Sequence, residues 1–311
     1  MTKMKTFKDI ALSWIDEKTS FVKYSTISTY SVTLTNRLIP YFGNKTEFIT
    51  EEDVQHYVMR EINNGIGQKT IKDSIMILKM IYKYGVKNKF FENVIWDIKY
   101  PVTNNQKKLE VLSIENQKRL MKYLFDNFTF RNLGLLLCLY TGMRIGEICA
   151  LKWKDIDIEQ GVIQVNKTLE RVYKKDRNKG SVQTKIITST AKTVNYIREI
   201  PLSKDLMKQI KPLKKIVNND YYIISNTEKA IEPRTYRNYY RSVMLHLNIP
   251  YIKFHGLRHS FATRCIEKHC DYKTVSVILG HSCISTTLNL YVHPNKEQKQ
   301  RCIEKMAKNL F

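Results

Sequence analysis

The sequence predicts a mainly α-helical protein with a small antiparallel β-sheet: an N-terminal four-helix domain followed by a mixed α+β domain. Apolar side chains recur at helical spacing in residues 1–100. Short β-branched runs occupy residues 156–202. Helical spacing returns at Ser203, at Pro233 and through most of 258–310. A chain of 311 residues is long enough for about two domains, each with its own core.

The N-terminal domain, residues 1–100, reads as a bundle of four amphipathic helices. Within residues 71–82, for example, apolar side chains repeat at positions i, i+4, i+7 and i+11. The predicted breaks between helices fall at 19–25, 40–44 and 63–67. Because each helix is polar on one side, the four helices are expected to pack on one another.

The second domain is expected to begin after a polar linker. Residues 101–110 have no apolar periodicity and form this predicted linker, so the second domain covers residues 111–311. Ser113 is placed as the N-cap of its first helix, and helices are expected as far as about Trp153.

The middle of the second domain changes to a β-type pattern. Four segments predict strands: Ile156–Ile158, Val162–Val165, Ile186–Thr190 and Asn195–Leu202. Residues 164–198 carry nine Lys or Arg side chains against two acidic ones. We therefore expect a small antiparallel sheet with a long, basic hairpin excursion.

The charge of the chain indicates its class of partner. Lys and Arg number 52 against 29 Asp and Glu, which gives a net charge of +23. Residues 1–100 hold 15 basic and 11 acidic side chains, and the rest of the chain holds 37 and 18. Net charge reports on partners rather than on fold, so this excess predicts a polyanion, most simply nucleic acid, bound mainly by the second domain.

Membrane, secreted and zinc-binding proteins are not expected. The longest apolar run, Leu133–Tyr140, is far shorter than the ~20 residues of a membrane helix, and no signal-peptide core follows the basic N-terminus. The six cysteines are expected to be reduced, buried thiols of a cytosolic protein. Cys265 and Cys270 flank His269 at a spacing that suits no common zinc site, so no metal site is predicted.

The first of three unusual clusters is TGMRIGEICALKW, residues 141–153. A glycine turn precedes Arg144, and Glu147 lies one helical turn further on. An Arg that is held in this way presents a planar fork suited to two oxygens of a phosphate. Taken alone, however, such a pair is more often a simple helix ion pair.

The second cluster is HGLRHSFATR, residues 255–264. His255 and Arg258 are three residues apart, so both can project to one side where a loop enters a helix. His259 and Arg264 are further candidates in the same segment. The alternative is a capped amphipathic helix with ordinary surface charge.

The third cluster is LGHSCISTTLNLYVHP, residues 279–294. Here Gly280 and His281 are predicted to end one helix, and Tyr291 follows ten residues after the histidine in a short second helix. A single tyrosine is usually a core or interface residue. The neighbouring histidine and the two arginine clusters favour an active site instead.

In this order and spacing, the three clusters resemble the tyrosine recombinases, also called the phage integrase family. That family combines Arg in TG-x-R-x-x-E, then His-x-x-Arg, then Leu-Gly-His, then a nucleophilic tyrosine. The N-terminal bundle is similar to its SAM-like core-binding domain. The long basic stretch makes the chain most like integrases of conjugative transposons and other mobile elements. Such integrases often carry an additional N-terminal arm-binding domain, which is not expected in this chain.

The resemblance implies a role for each matching residue. Tyr291 would be the nucleophile, Arg144 and Arg258 would clamp the scissile phosphate, and His255 and His281 would complete the pocket. Either histidine is a candidate for the base that assists the tyrosine.

The family also uses a lysine on a β-hairpin, usually in a Pro-Lys-Thr setting before Arg-x-Ile-Pro-Leu. Lys192 fits that place as the acid that protonates the leaving 5′-oxygen, although Ala191 stands where proline is common. Lys185 is the alternative.

Two groups of basic residues are the expected DNA contacts. The first lies in the basic stretch and the second at helical spacing within 234–247. They are Lys167, Arg171, Lys174, Lys175, Arg234, Arg237 and Arg241.

The resemblance further implies an enzyme that integrates or excises a phage or mobile element through a 3′-phosphotyrosyl intermediate. Because the covalent intermediate conserves the energy of the bond, no ATP is required. No metal or other cofactor is expected either, since the sequence shows no clustered carboxylates that would hold Mg²⁺. The implied partners are double-stranded DNA, a homo-tetramer with the tail 295–311 docked in trans, and accessory DNA-bending or directionality factors. A cytoplasmic, DNA-associated protein of a bacterium or phage is expected.

Two alternatives share this scaffold. One is a DNA-binding regulator without strand transfer, against which the complete set of catalytic residue types argues. The other is a cleaving and resealing enzyme of the topoisomerase IB kind, which would relax supercoils without recombining two sites.

Overall fold

The computed structural model describes residues 5–46, 48–102, 109–175, 182–190, 197–292 and 296–308. It confirms the predicted fold class of helices with small sheets. The chain divides into two compact units. One comprises Met1–Gln106 with Val172–Lys185, and the other comprises Lys107–Arg171 with Ile186–Phe311. The linker at 101–110 and the domain limits derived from the sequence stay predictions.

The first unit contains the expected four helical segments. The second segment is composite, because a π-helical turn at Leu34–Leu38 joins two α-helices. The α-helices are α1 (Phe7–Lys18), α2 (Tyr24–Thr33), α3 (Ile39–Phe42), α4 (Glu51–Asn63) and α5 (Gln68–Lys87). Thr6 and Thr50 cap α1 and α4, and each exchanges hydrogen bonds with an aspartate three residues later. The apolar faces of the helices meet in one core around Trp14, Tyr57 and Leu78.

The helices of the second unit follow the predicted order. They are α6 (Ile114–Asp126), α7 (Phe130–Thr141), α8 (Ile145–Ala150), α9 (Lys204–Lys214), α10 (Pro233–His246), α11 (His255–Glu267), α12 (Tyr272–Leu279), α13 (Ile284–Tyr291) and α14 (Lys296–Lys308). Ser113 caps α6 as predicted, and Ser203, where a helix was expected to resume, caps α9. The apolar helix α7 is buried along almost its whole length and packs against α11.

The strands form two small sheets rather than one. β1 (Ile156–Asp157), β2 (Val162–Val165) and β5 (Arg198–Pro201) form an antiparallel sheet in the order β1–β2–β5, with Ile163 opposite Ile200. β3 (Lys167–Lys175) and β4 (Val182–Thr190) pair as a separate two-stranded sheet. The first strand of the basic excursion was not predicted, because its lysines and arginines mask its β-branched and aromatic positions.

Two apolar clusters in the second unit position the functional residues. The large one surrounds α7 and includes Met143, Ile148 and Leu257. A small one joins α11, α12 and α13 through Ala262, Val275, Leu279 and Tyr291. Every helix of the described ranges is too short or too polar to span a lipid bilayer. The expectation of buried thiols is wrong for Cys270 and Cys283, which lie exposed just outside helix ends.

Candidate active site

The turn between α7 and α8 sets the position of Arg144. Gly142 ends α7 in the left-handed conformation, with φ of 65°. A Cβ atom there would lie 2.6 Å from Cδ1 of Phe261 and 2.7 Å from Cδ2 of Leu279. Glycine is therefore required for both the backbone conformation and the available space. Two residues later, Arg144 is the N-cap of α8.

Glu147 joins two arginines in a buried network. Its carboxylate accepts hydrogen bonds from the backbone N and Nη1 of Arg144, at 2.8 and 2.9 Å. Arg198 at the start of β5 donates two more, at 3.1 and 2.9 Å. Burial alone would raise the pKa of Glu147, but the hydrogen bonds and charges of Arg198 and Arg144 outweigh it and lower this pKa. Glu147 is therefore a buried anion that fixes both guanidinium groups.

Arg258 is held by backbone carbonyl groups at the centre of the unit. Its side chain is buried, and Nη1 and Nη2 donate to the carbonyl oxygens of Gly142 and Leu279 at 2.8 and 2.7 Å. Burial, together with the nearby charge of Arg144, lowers its pKa to about 9, so the group is still a cation at pH 7. Its Nε finds no hydrogen-bond partner among the described residues. A buried donor without a partner suggests a place for a bound acceptor.

Arg144 and Arg258 line the same open cleft of about 510 Å³. His255, Arg237 and Lys253 contribute further polar side chains to its wall. Two guanidinium groups fixed by the protein before any ligand binds can hold a phosphodiester and stabilise charge that develops on its oxygens. The cleft is thus suited to phosphoryl chemistry.

Two predicted histidines lie beside these arginines. The surrounding protein displaces water from the His255 and His281 rings and, with the neighbouring cations, lowers each pKa to about 4. Both rings are therefore neutral at pH 7. His255 faces the cleft, and Nδ1 of His281 is hydrogen-bonded to the buried Thr287 hydroxyl at 2.8 Å.

Tyr291 lies at the last position of α13, with its ring packed in the small apolar cluster. Its side chain is buried, and this burial raises the pKa of the phenol against the opposing charges of Arg258 and Arg144. The phenolic oxygen lies 2.7 Å from Nδ1 of His259. A protonated phenol thus lies within the electrostatic reach of both Arg144 and Arg258.

Two domain families match the chain. Residues 110–298 match the phage integrase family, and residues 6–62 match the phage integrase N-terminal SAM-like domain. The chain belongs to the phage integrase family. It is a tyrosine-type site-specific DNA recombinase, as the resemblance of its motifs implied.

Individual relatives of this recombinase cover nearly its whole length. A XerC-like tyrosine recombinase of Caldanaerobacter subterraneus is 29% identical, with 96% of this chain and 82% of the relative covered. Among solved structures, the integrase of transposon Tn1549 bound to circular-intermediate DNA superposes with a TM-score of 0.78 at 19% identity, covering 97% and 99%. A lambda integrase tetramer on a Holliday junction gives 0.65 at 17% identity, covering 95% and 80%.

The predicted DNA-contact residues of the recombinase fall into three groups. Arg234, Arg237 and Arg241 lie on the exposed face of α10, and Arg237 also lines the cleft. Arg171 forms an ion pair with Glu232, at 2.5 Å, and the partly exposed Lys167 begins the same strand, β3. The third group falls outside the described residues and side chains: Lys174, Lys175 and the candidate acid Lys192.

Two residues make contacts in the site that the sequence patterns did not indicate. Arg198 was only part of the motif that located Lys192, yet it holds Glu147 from the opposite side to Arg144. The signal was its register, because Arg198 and Ile200 alternate onto the buried side of a strand, and a buried cation needs an anion or other hydrogen-bond acceptors beside it. His259 was a further candidate without a role, and the structure places it against Tyr291.

Proposed function

We propose that this recombinase cleaves DNA at its recombination sites through attack by Tyr291, which becomes joined to the 3′-phosphate. The observation that carries this proposal is the convergence of Arg144 and Arg258 on one cleft, where Nε of Arg258 has no hydrogen-bond partner among the described residues. The phosphorane-like transition state carries extra negative charge on its non-bridging oxygens. Two fixed guanidinium groups stabilise that charge without reorganising.

The remaining roles follow from the neighbouring side chains. Glu147 holds Arg144 in place, and His255 and His281 complete the phosphate pocket as neutral donors. Lys192 protonates the leaving 5′-oxygen, and Lys185, an exposed residue of β4, is the alternative acid.

The broader DNA surface is basic. The exposed arginines of α10 contact the phosphate backbone near the cleft. The lysines and arginines of β3 also contact the phosphate backbone, and residues 1–100 bind the duplex as a separate domain. Because such contacts carry little sequence information, they supply affinity more than specificity. The substrates are the attachment sites of a phage or mobile element, by analogy with the transposon integrase of similar fold.

The active assembly is a homo-tetramer on two DNA sites, by analogy with the lambda integrase tetramer, with accessory DNA-bending or directionality factors. Helix α14 leaves Ile303 and Met306 more than half exposed in the single chain, which supports docking of the tail 295–311 on a neighbouring protomer. Deleting residues 297–311 should weaken pairing of two sites more than binding to one site. Equal losses would contradict docking in trans. We expect the enzyme, encoded by a bacterium or by a phage, to act on its DNA in the cytoplasm.

The experiment is covalent trapping. Duplexes that tile the DNA flanking the gene for this chain are incubated with the protein, and SDS-resistant protein–DNA complexes are mapped. The wild type should yield one strand-specific 3′ adduct, and Tyr291→Phe should bind the same duplex without an adduct. An adduct that persists in Tyr291→Phe would overturn the assignment of the nucleophile. Binding without any wild-type adduct would favour the DNA-binding regulator.

A further inference from the structure

His259 lies between the phosphate pocket and the nucleophile. It follows Arg258 directly on α11, and its ring meets that of His255 at right angles with centroids 4.5 Å apart. On its other side, Nδ1 lies 2.7 Å from the phenolic oxygen of Tyr291. We propose that His259 is the catalytic base that takes the phenolic proton of Tyr291 during strand cleavage. This inference rests on the proposed function, in which Tyr291 is the nucleophile.

The environment keeps both partners in the protonation states that such a transfer requires. Burial and the charge of Arg258 lower the pKa of His259, against the opposing charge of Glu110, so its ring is neutral at pH 7. Burial raises the pKa of Tyr291, so the phenol keeps its proton until an acceptor removes it. The charged and titratable groups around His259 are Arg258, His255, Glu110 and Tyr291.

The other two histidines are engaged elsewhere. His255 lines the phosphate cleft beside Arg144 and Arg258. Nδ1 of His281 is hydrogen-bonded to Thr287. Neither of these histidines is hydrogen-bonded to Tyr291 among the described contacts, whereas His259 is. His259 is therefore the base, rather than His255 or His281, and these two histidines bind the phosphate.

The proton balance of the proposed step is complete. In cleavage, the Tyr291 oxygen bonds to phosphorus while the bond to the 5′-oxygen breaks. The phenolic proton passes to Nδ1 of His259, which must start as the Nε2–H tautomer, and a separate acid protonates the 5′-oxygen. In rejoining, the 5′-hydroxyl attacks phosphorus and the imidazolium returns its proton to the departing phenolate. No further reactant is consumed.

The test measures the single-turnover rate of adduct formation on a nicked duplex built from the mapped site. His259→Ala should slow adduct formation about 10²–10⁴-fold, the usual contribution of a general base. The rate of this variant should rise with pH well above the range in which the wild-type rate has levelled off, because solvent must then remove the phenolic proton. Affinity for the duplex should stay unchanged. The exposed His56→Ala is the matched control and should match the wild type.

Two further comparisons separate proton transfer from mere orientation and from loss of fold. His259→Asn places an acceptor oxygen near the position of Nδ1 but cannot hold the proton as a cation, so it should be nearly as slow as His259→Ala. A duplex with sulfur replacing the 5′-bridging oxygen needs no leaving-group acid. The His259 defect should persist on it, whereas a defect in the acid should disappear.

Three results would contradict the role of His259 as the base. The first is a His259→Asn variant with the wild-type rate and pH profile, and the second is a His259→Ala variant whose rate lies within about threefold of the wild type. Recovery of His259→Ala on the sulfur substrate would also overturn it and would assign His259 to the leaving-group side. If His259→Ala unfolds, the Asn variant decides by the same criteria. Failure of the wild type itself to form an adduct would instead refute the proposed function on which the inference rests.

Discussion

The two halves of the active site are fixed in the molecule by different means. Arg144, Arg198 and Arg258 are fixed by a buried carboxylate and by backbone carbonyl groups within the main core. Tyr291 is held by a small apolar cluster and by a single described hydrogen bond to His259. The half that holds the arginines is thus part of what stabilises the second unit, whereas Tyr291, the proposed nucleophile, contributes little to that stability.

This difference suits the chemistry. Charge stabilisation works best when the dipoles and cations do not move, whereas a nucleophile must approach phosphorus, remain bonded to it and leave again. Regions with few buried contacts are the ones that move at low cost. We therefore expect changes in the first half to lower stability and activity together, and changes in the second half to affect activity alone.

Glu147→Ala should have the largest effect on stability. It leaves Arg198, which is only 6% exposed, without its anion, and it removes the support of Arg144. Breaking a buried ion pair by removing one partner costs about 3–5 kcal/mol in the free energy of unfolding. Urea denaturation measures this loss, with the exposed Glu159→Ala as control. A loss under about 1 kcal/mol for Glu147→Ala would mean that the network contributes little to the fold.

Gly142→Ala should lower the free energy of unfolding by a smaller amount, about 2–4 kcal/mol. The loss comes from backbone strain together with overpacking against Phe261 and Leu279. Gly161 supplies a matched control, because its φ of 66° is close to that of Gly142, whereas a Cβ atom there meets nothing within 4 Å. Gly161→Ala should cost only the backbone part, about 1–2 kcal/mol.

The Gly142 carbonyl also accepts a hydrogen bond from Arg258, so the first variant should slow adduct formation as well. Equal losses of stability in the two glycine variants would show that the predicted crowding is relieved without cost.

Stability should depend on pH through the neutral histidines. The folded pKa of His281 is about 4, below its ordinary 6.5, so the unfolded chain binds more protons between these values. The free energy of unfolding should therefore fall as pH drops from about 6.5 to 4. With solvent screening, the share of His281 should be about 1–2 kcal/mol. When the free energy of unfolding is measured at several pH values, it should change less with pH in this window for His281→Asn than for the wild type. An equal change in both proteins would mean that the ring is solvated.

Much of the fold was predictable because its signals are local. Helical periodicity, the Ser113 cap and the β-branched runs gave the element order except for β3. Spacing within each motif placed Glu147 near Arg144 and His255 near Arg258, because the residues of one motif lie within two helical turns. That the two motifs meet in one cleft was implied by the family resemblance and not by spacing.

The contacts made across long sequence separations were not predictable. Arg198 reaches Glu147 across 51 residues, and His259 reaches Tyr291 across 32. No periodicity links such pairs. They depend on tertiary packing, which brings β5 to α8 and α11 to α13 and which the sequence patterns do not determine. The division of the strands into two sheets is a similar case, because strand pairing depends on partners and not on the pattern of one strand.

Tyr291→Phe should have the smallest effect on stability and marks the other end of the comparison. The ring and its apolar contacts remain, and only the hydroxyl that meets His259 is lost. The net contribution of one hydrogen bond to stability is about 0.5–1.5 kcal/mol. The free energy of unfolding should therefore fall by no more than about 1 kcal/mol, while the covalent adduct no longer forms. Urea denaturation of this variant beside Glu147→Ala tests the contrast directly. A loss of several kcal/mol for Tyr291→Phe would place the nucleophile within the structural core and remove the distinction between the two halves.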